Sequence, residues 1–134
     1  MKLENSSFFD NLVRNIKKQK SFTLTGLTTF SRLLLLDYIC KLSGKKVLFL
    51  TSTEQSALKY STDLERLFNR EADTIPYQNI SPYEVVVGNL YDYAKQIETL
   101  ENKPSLVLAP VKTLLEKFPT ESFFEKNSFS LKVG

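Results

Sequence analysis

The chain contains no histidine and only one cysteine, Cys40, among its 134 residues. Without histidine it can form neither a His–Cys zinc site nor a catalytic triad of the Ser-His-Asp type. A single cysteine cannot form a disulfide within the chain, which is typical of proteins from a reducing compartment. Cys40 lies in an apolar stretch beside Ile39, so the sequence predicts a core thiol rather than a nucleophile.

Long apolar runs are also missing from the sequence. The longest, such as residues 33–36, are far shorter than the roughly 18 residues that span a bilayer. Residues 1–5 lack the apolar core of a secretory signal peptide. We therefore expect a cytoplasmic protein without a membrane role.

Neither sign of charge predominates, because 18 basic residues nearly balance 15 acidic ones and leave a formal net charge of +3. A dedicated nucleic-acid binder usually carries a basic stripe, and the only local cluster here is Lys17, Lys18 and Lys20. We interpret this cluster as a solvated helix end that suits the helix dipole, with a phosphate contact as the alternative. DNA is not expected to bind this chain strongly.

Apolar spacing and turn residues predict helices and strands that alternate along the chain. Predicted helices cover residues 6–18, 28–42, 52–68, 81–100 and 111–118, with a further turn at 122–126. Predicted strands cover residues 22–25, 47–50, 73–77, 105–109 and 129–133. This order indicates one α/β domain over residues 1–134, a three-layer parallel sheet with helices on both faces. Since the chain stops within a predicted strand, we expect a fragment of a longer multidomain protein.

Several local signals sharpen these boundaries. Gly44 is expected at a helix C-terminus, Ser52 with Gln55 forms a capping-box pattern, and Ser81 followed by Pro82 marks a helix start. The apolar run 47–50 predicts a strand covered on both faces. Two helices are expected to bury apolar stripes, the first made of Ala57, Tyr60, Leu64 and Leu67 or Phe68, the second of Val86, Leu90, Tyr93, Ile97 and Leu100.

The segment after the first predicted strand has the outline of a phosphate-binding loop, G-x-x-x-x-G-K-[ST]. In that motif the glycines allow a tight anion-binding turn, the lysine neutralises phosphate and the hydroxyl holds magnesium. Here Gly26 keeps the first position, but Ser31 replaces the second glycine, Arg32 the lysine and Leu33 the hydroxyl. Leucine cannot ligate magnesium, and an arginine is a planar fork rather than a point charge.

We therefore predict a fold that resembles P-loop NTPases but has a degenerate phosphate loop. The simplest interpretation is that Gly26 only turns the chain, and anion binding at the N-terminus of the next helix is the alternative. No acidic pair follows a strand in the Walker-B manner, and Glu54 is expected to interact with a helix dipole. The sequence assigns no catalytic residue, no metal and no cofactor.

Four segments, in order, resemble one family. They are the strand–turn–helix around Gly26, residues 73–77 running into 81–84, residues 107–115, and residues 122–134. Together they resemble the N-terminal UvrB-like domain of bacterial transcription-repair coupling factors (Mfd). Ile75 stands for leucine in the family's "LPY…SP" stretch, and Ala109 precedes Pro110 in its "VxPVxxLL" junction. One departure is Gly88–Asn89–Leu90, where the family often has an acidic–Arg–Leu run, so a surface contact of that arginine would be missing.

The resemblance implies a role within a larger protein. A full-length coupling factor is an ATP-dependent DNA translocase that displaces stalled RNA polymerase and recruits nucleotide excision repair through UvrA. Its motor and most of its UvrA-contacting surface lie beyond the region that this chain resembles. The resemblance therefore implies a non-catalytic interaction and regulatory module that contacts neighbouring domains of the parent protein.

Two other hypotheses follow from the residues. In the first, the chain is the nucleotide-binding half of a helicase-like ATPase core, with Arg32 in a variant P-loop. In the second, it binds nucleic acid through Lys17, Lys18, Lys20, Lys45 and Lys46, although the near-balanced charge counts against this. Nucleotide binding would depend on Arg32, whereas nucleic-acid binding would weaken steeply with salt.

Overall fold

The computed structural model describes residues 7–18, 21, 23–77 and 90–127. In chain order the elements are α1 (Ser7–Lys18), α2 (Thr29–Ser43), β1 (Val47–Thr51), α3 (Glu54–Phe68), β2 (Asp73–Thr74), α4 (Leu90–Asn102), β3 (Leu106–Pro110), a 3-10 helix (Val111–Leu115) and α5 (Glu121–Asn127). None of the helices within these ranges combines the length and apolarity needed to cross a membrane.

Hydroxyl and left-handed residues set the ends of α2 and α3. Thr28 and Thr53 are N-caps, and the side chain of each accepts a hydrogen bond from the backbone N–H three residues later. Gly44 ends α2 with φ 60°, and Asn69 ends α3 with φ 49°. Both residue types tolerate this left-handed conformation, so the two helices end where the sequence allows it.

The three strands form one parallel sheet in the order β1-β3-β2. The chain passes from β1 through α3 to β2 at the far edge, and then returns through α4 to β3 at the centre. These two crossovers run in opposite directions along the sheet. Because parallel crossovers are right-handed, α3 and α4 belong on opposite faces.

One face of the sheet, here called the closed face, carries the core. Helices α2 and α3 pack on it around six residues that are 5% exposed or less: Leu33 and Leu36 of α2, Ala57 and Leu64 of α3, and Leu106 and Leu108 of β3. Val47, Phe49, Tyr60, Phe68, Cys40 and Ala72 surround this cluster. Phe49 also contacts Tyr60 edge-to-face, with ring centroids 5.5 Å apart. The buried core therefore lies between α2, α3 and the closed face of the sheet.

The other face, here called the open face, is covered by α4 over only part of its width. Thr99 and Leu100 of α4 line a groove together with Leu48 of β1 and Val107 of β3. A hydrogen bond connects α4 to the segment after β2: Gln96 Nε2 donates to the carbonyl oxygen of Pro76, and the two atoms are 2.7 Å apart. Leu48 is nevertheless 53% exposed, so β1 lacks full cover on this side.

A buried carboxylate joins α2 to the end of α3. Asp37 is 4% exposed, and its two oxygens lie 2.6 Å from Lys41 Nζ and 3.0 Å from Arg70 Nε. Arg70 follows α3, so this ion pair links two helices on the closed face. Because a buried charge without a partner is costly, the pair restricts how α2 and α3 lie relative to each other.

The mixed α/β class and the parallel sheet are confirmed, and most predicted helices appear within a few residues of their expected bounds. The predicted strand at residues 22–25 is wrong over its described part, since Thr23, Leu24 and Thr25 join no strand. Leu24 instead lines a pocket against α2 and Phe49. The predicted capping box at Ser52 is also wrong, because Thr53 is the N-cap and its hydroxyl lies 2.8 Å from that of Ser56.

Two burial predictions need correction. Strand β1 is not covered on both faces, because it lies at the edge of the described sheet and leaves Leu48 and Leu50 exposed. In α4 the expected apolar stripe is only partly buried, since Leu90 is 71% and Tyr93 43% exposed while Ile97 and Leu100 are half-buried. The buried residues of α4 are Gln96, which donates to Pro76 at the carboxyl end of the sheet, and Thr99, which lines the groove beside Leu48.

Other expectations differ in detail. Pro110 belongs to β3, and the segment after it is a 3-10 helix rather than an α-helix. The predicted apolar stripe of α3 ended in either Leu67 or Phe68; Phe68 packs on the core, whereas Leu67 is exposed. The predicted helix start at Ser81, with Val86 and Gly88, and the predicted strand at 129–133 lie outside the described residues.

The burial of α3 predicts unequal effects of one substitution at two positions. Leu64→Ala is expected to lower the free energy of unfolding by about 2–5 kcal/mol, because it opens a cavity beneath a fully buried side chain. Leu67→Ala in the same helix should change it by no more than about 0.5 kcal/mol, since Leu67 is 55% exposed. Urea unfolding followed by circular dichroism measures both, and equal losses would contradict the described packing.

Candidate functional site

The turn at Gly26 is the first candidate site, because the sequence places the degenerate loop there. Gly26 has φ +76°, a conformation that side-chain-bearing residues rarely adopt. Only Leu27 and Thr28 separate it from Thr29, the first residue of α2. The positions that would wrap a phosphate in a P-loop are thus already helical here.

The N-terminus of α2 is occupied by its own side chains. Thr28 Oγ1 accepts from the backbone N–H of Ser31 at 3.3 Å and lies 2.8 Å from Ser31 Oγ. Ser31 Oγ in turn donates to the carbonyl of Thr28 at 3.1 Å. An anion approaching this helix end would have to compete with the hydroxyl of Thr28 for the Ser31 N–H.

The last two residues of the degenerate loop point to different environments. Leu33 is 2% exposed and belongs to the core cluster beneath the sheet. Arg32 is exposed and lines the pocket beside Gly26. The structure therefore brings Gly26 and Arg32 to one pocket, keeps Ser31 in the helix cap and places Leu33 in the core.

The pocket beside Gly26 is open and mostly apolar, with a volume of about 570 Å³. Its walls come from the segment 24–27, from one side of α2 and from Phe49 of β1. Among the described residues that line it, Arg32 alone is charged. Such a pocket suits an apolar group with one anionic end better than a triphosphate, which needs several donors.

A second candidate lies at the carboxyl end of the sheet, where parallel α/β folds usually bind ligands. A pocket of about 210 Å³ opens there between the N-terminal ends of α3 and α4. Glu54, Asp92 and Lys95 line it together with Thr74 and Pro76. It is therefore a small pocket of mixed polarity with charges of both signs.

Carboxyl groups crowd this end of the sheet. Partial burial raises the pKa of Glu54 above its ordinary value, and repulsion from Asp92 and then from Glu116 adds to the shift. Gln96 Nε2 donates to Glu116 Oε2 at 2.7 Å and so holds that carboxylate in place. Within the described residues, no group of three or more acidic, histidine or cysteine side chains is placed to hold a metal ion.

Cys40 is half-buried against the core cluster, in line with the prediction of a core thiol. Burial raises the pKa of its thiol, while Arg70 opposes and Asp37 reinforces that shift. Because the thiolate is the nucleophilic form of cysteine, this direction of shift favours a core thiol over a nucleophile.

The basic residues of the nucleic-acid hypothesis are divided between two parts of the chain. Lys18 is exposed at the end of α1, and Lys45 and Lys46 are exposed just before β1. Lys20 lies outside the described residues, and the side chain of Lys17 does too. Lys46 lines the groove on the open face, so its place is beside an apolar surface rather than within a basic stripe.

Sequence reasoning missed the carboxyl-end pocket. The sequence predicted only that Glu54 interacts with a helix dipole, and Glu54 does lie in the first turn of α3. The available signal was its place directly after a parallel strand, where the ends of neighbouring strands converge. Asp92 and Gln96 could not be added to it, because nothing in a helical pattern tells which face of α4 meets the sheet.

Comparison of the chain with protein-family models, with curated proteins and with solved structures finds no match.

The carboxyl crowding predicts a measurable titration. Glu54 is expected to titrate above the ordinary glutamate value of 4.5, and Asp92→Asn should lower its pKa by removing one repelling charge. Between the pKa of Glu54 in the unfolded chain and its higher pKa in the folded chain, the unfolded chain has lost the Glu54 proton while the folded chain keeps it. Glu54 therefore reduces the stability of the fold as pH rises through this window. Carbon-detected NMR titration of the glutamate side chains measures both pKa values.

Glu98→Gln in the same helix is the matched control, because Glu98 pairs with Lys95 at 3.4 Å and is not a source of the Glu54 shift. A Glu54 pKa at or below its ordinary value, or one insensitive to Asp92→Asn, would contradict the described cluster.

Proposed function

We propose that this chain is the N-terminal UvrB-like domain of a transcription-repair coupling factor and acts there as a non-catalytic interaction and regulatory module. Its fold is proposed to be that of a P-loop NTPase whose phosphate loop has decayed. The parent protein would be a cytoplasmic ATP-dependent DNA translocase that displaces stalled RNA polymerase and recruits nucleotide excision repair through UvrA. RNA polymerase, UvrA and DNA would be bound by other parts of that parent.

One observation carries the non-catalytic part of this proposal. Helix α2 begins at Thr29, so only two residues remain between Gly26 and the helix where a phosphate loop needs a longer turn. Two further features support it. The hydroxyl of Thr28 occupies the Ser31 N–H that a nucleotide phosphate would require. Leu33 is buried at the position where a P-loop has the hydroxyl that holds magnesium. A domain of this kind is better suited to holding partners than to chemistry.

The interaction part is supported by apolar side chains on the surface. Leu115 is 85%, Tyr91 75% and Leu48 53% exposed. Each lies on a different element, and apolar side chains that are this exposed can contribute to a contact with another polypeptide where they adjoin others. This agrees with the resemblance of the four segments, which implies a domain packed against its neighbours.

The alternative function keeps nucleotide binding through Arg32, and the observation in its favour is that Arg32 and Gly26 line the same pocket. An arginine there could pair with a phosphate in a variant loop. It would have to do so without the lysine and the hydroxyl of an ordinary P-loop.

Calorimetric titration with ATP and magnesium separates the two functions. The purified chain is expected to give no binding heat, because its loop lacks the donors and the length for a triphosphate. Tight, magnesium-dependent binding that Arg32→Ala abolishes would overturn the module proposal and establish the alternative. Arg66→Ala, in the last turn of α3, is the control for removal of an exposed arginine that does not line the pocket beside Gly26.

A further inference from the structure

The pocket beside Gly26 has walls made mostly of apolar side chains. Its volume of about 570 Å³ is in the range of pockets that hold small ligands. Six apolar side chains line it: Leu24, Leu27, Leu35, Leu36, Ile39 and Phe49. Leu35 is 8% and Leu36 5% exposed, so the inner wall is continuous with the core. Such walls favour an apolar ligand, because apolar surface is removed from water when the ligand binds.

One face of α2 forms a wall of the pocket that is charged at one end. Arg32, Leu35, Leu36 and Ile39 follow the i, i+3, i+4, i+7 spacing of a single helix face, and all four line the pocket. The seven residues from Arg32 to Ile39 rise about 10 Å along the helix. This wall therefore matches a ligand that is elongated, apolar and charged at one end only.

The electrostatic surroundings of Arg32 favour a negative charge at that end. Arg32 lies in the first turn of α2, where the helix dipole is positive, and this turn contains no acidic residue. Among the described residues, its side chain forms no ion pair and no hydrogen bond. Residues 19–22, which precede the wall formed by residues 24–27, include no aspartate or glutamate. An anion beside Arg32 would therefore meet two sources of positive potential.

A carboxylate matches this end of the pocket better than a phosphate does. The two oxygens of a carboxylate can accept two parallel N–H bonds from one guanidinium. A phosphate has more oxygens to satisfy, and the N–H of Ser31 at the same helix end is already bonded to the hydroxyl of Thr28. The anionic group that one arginine can hold by itself is a carboxylate.

We propose that the pocket beside Gly26 binds an unbranched aliphatic carboxylate. Its head group pairs with Arg32, and its chain lies along α2 toward Ile39, between that helix and Phe49 of β1. Because a carbon–carbon bond is about 1.5 Å long, a stretched chain of about ten carbons spans this wall. The inference goes beyond the proposed module function and depends only on the pocket.

Titration of the chain with decanoate tests the proposal, and calorimetry is expected to show saturable binding at one site. Two probes separate the contributions of charge and chain. Decyltrimethylammonium has a chain of the same length with the opposite charge, and butyrate has the same head group on a short chain. Each is expected to bind at least about tenfold more weakly than decanoate, because each lacks one of the two contacts.

Substitutions at Arg32 show whether its charge selects the ligand. Arg32→Gln should weaken decanoate binding by about tenfold, since it removes the charge-assisted bonds to the head group. Arg32→Glu should make decyltrimethylammonium the tighter ligand, a reversal that general unfolding cannot produce. Arg66→Gln, at an exposed arginine of α3 that does not line the pocket, is the matched control and should leave decanoate binding unchanged.

Amide NMR spectra recorded during the decanoate titration locate the bound chain. The largest shifts are expected for residues 24–27 and for α2 between Arg32 and Ile39. Shifts confined to other parts of the chain would contradict the assigned site.

Three further results would overturn the proposal: no saturable binding of decanoate, equal binding of decyltrimethylammonium, or decanoate binding that Arg32→Gln leaves unchanged. Binding to vesicles of an anionic lipid without any binding of monomeric decanoate would overturn it too and would indicate a membrane surface as the partner. Failure of this assay leaves the coupling-factor proposal untouched, because that proposal needs no ligand in the pocket. Failure of the coupling-factor proposal likewise leaves the pocket.

Discussion

The complete burial of Leu106 and Leu108 in β3 is the constraint on which the rest of the fold depends. Both side chains lie on the closed face, where Leu33 and Leu36 of α2 and two residues of α3 cover them. Because β3 comes last among the described strands but lies in the centre, the chain must reverse direction across the sheet to place it. Right-handed crossovers then send α3 and α4 to opposite faces. The closed core and the partly covered open face both follow from this single placement.

The same constraint explains why the turn at Gly26 differs from a phosphate loop. Leu33 must reach the core from the first turns of α2, so the helix has to begin early, at Thr29. With Thr28 as its cap, the helix leaves two residues for the turn and no extended loop. Arg32 remains outside and borders an apolar pocket. Packing and loop chemistry are thus in competition at this position, and the residues present favour packing.

The sequence predicted what depends on local pattern. Helices α1, α2 and α3 and strands β1 and β3 have apolar spacing or continuous apolar runs, and Gly44 lies at the C-terminal end of α2 as expected, whereas Thr28, predicted to be the first helical residue, is the N-cap. What depends on neighbours could not be read: the short run 22–25 alternates like a strand but finds no strand to pair with, and Leu48 is exposed because β1 lies at an edge. In α4 the buried residues are Gln96 and Thr99, which hydropathy ranks as surface residues. The residues of the degenerate loop could be identified by comparison with the P-loop motif. Glu54, Asp92 and Glu116, in contrast, come together only in the folded chain.

We propose that this chain, whose phosphate loop is degenerate in sequence, belongs to a protein that couples repair to transcription, and the most direct test of this proposal is made in cells. Repair of ultraviolet lesions is measured separately on the transcribed and non-transcribed strands of an active gene, in the native strain and after deletion of the gene that encodes this chain. The account predicts that the faster repair of the transcribed strand is lost on deletion, while repair of the other strand continues. Unchanged preference for the transcribed strand would contradict it.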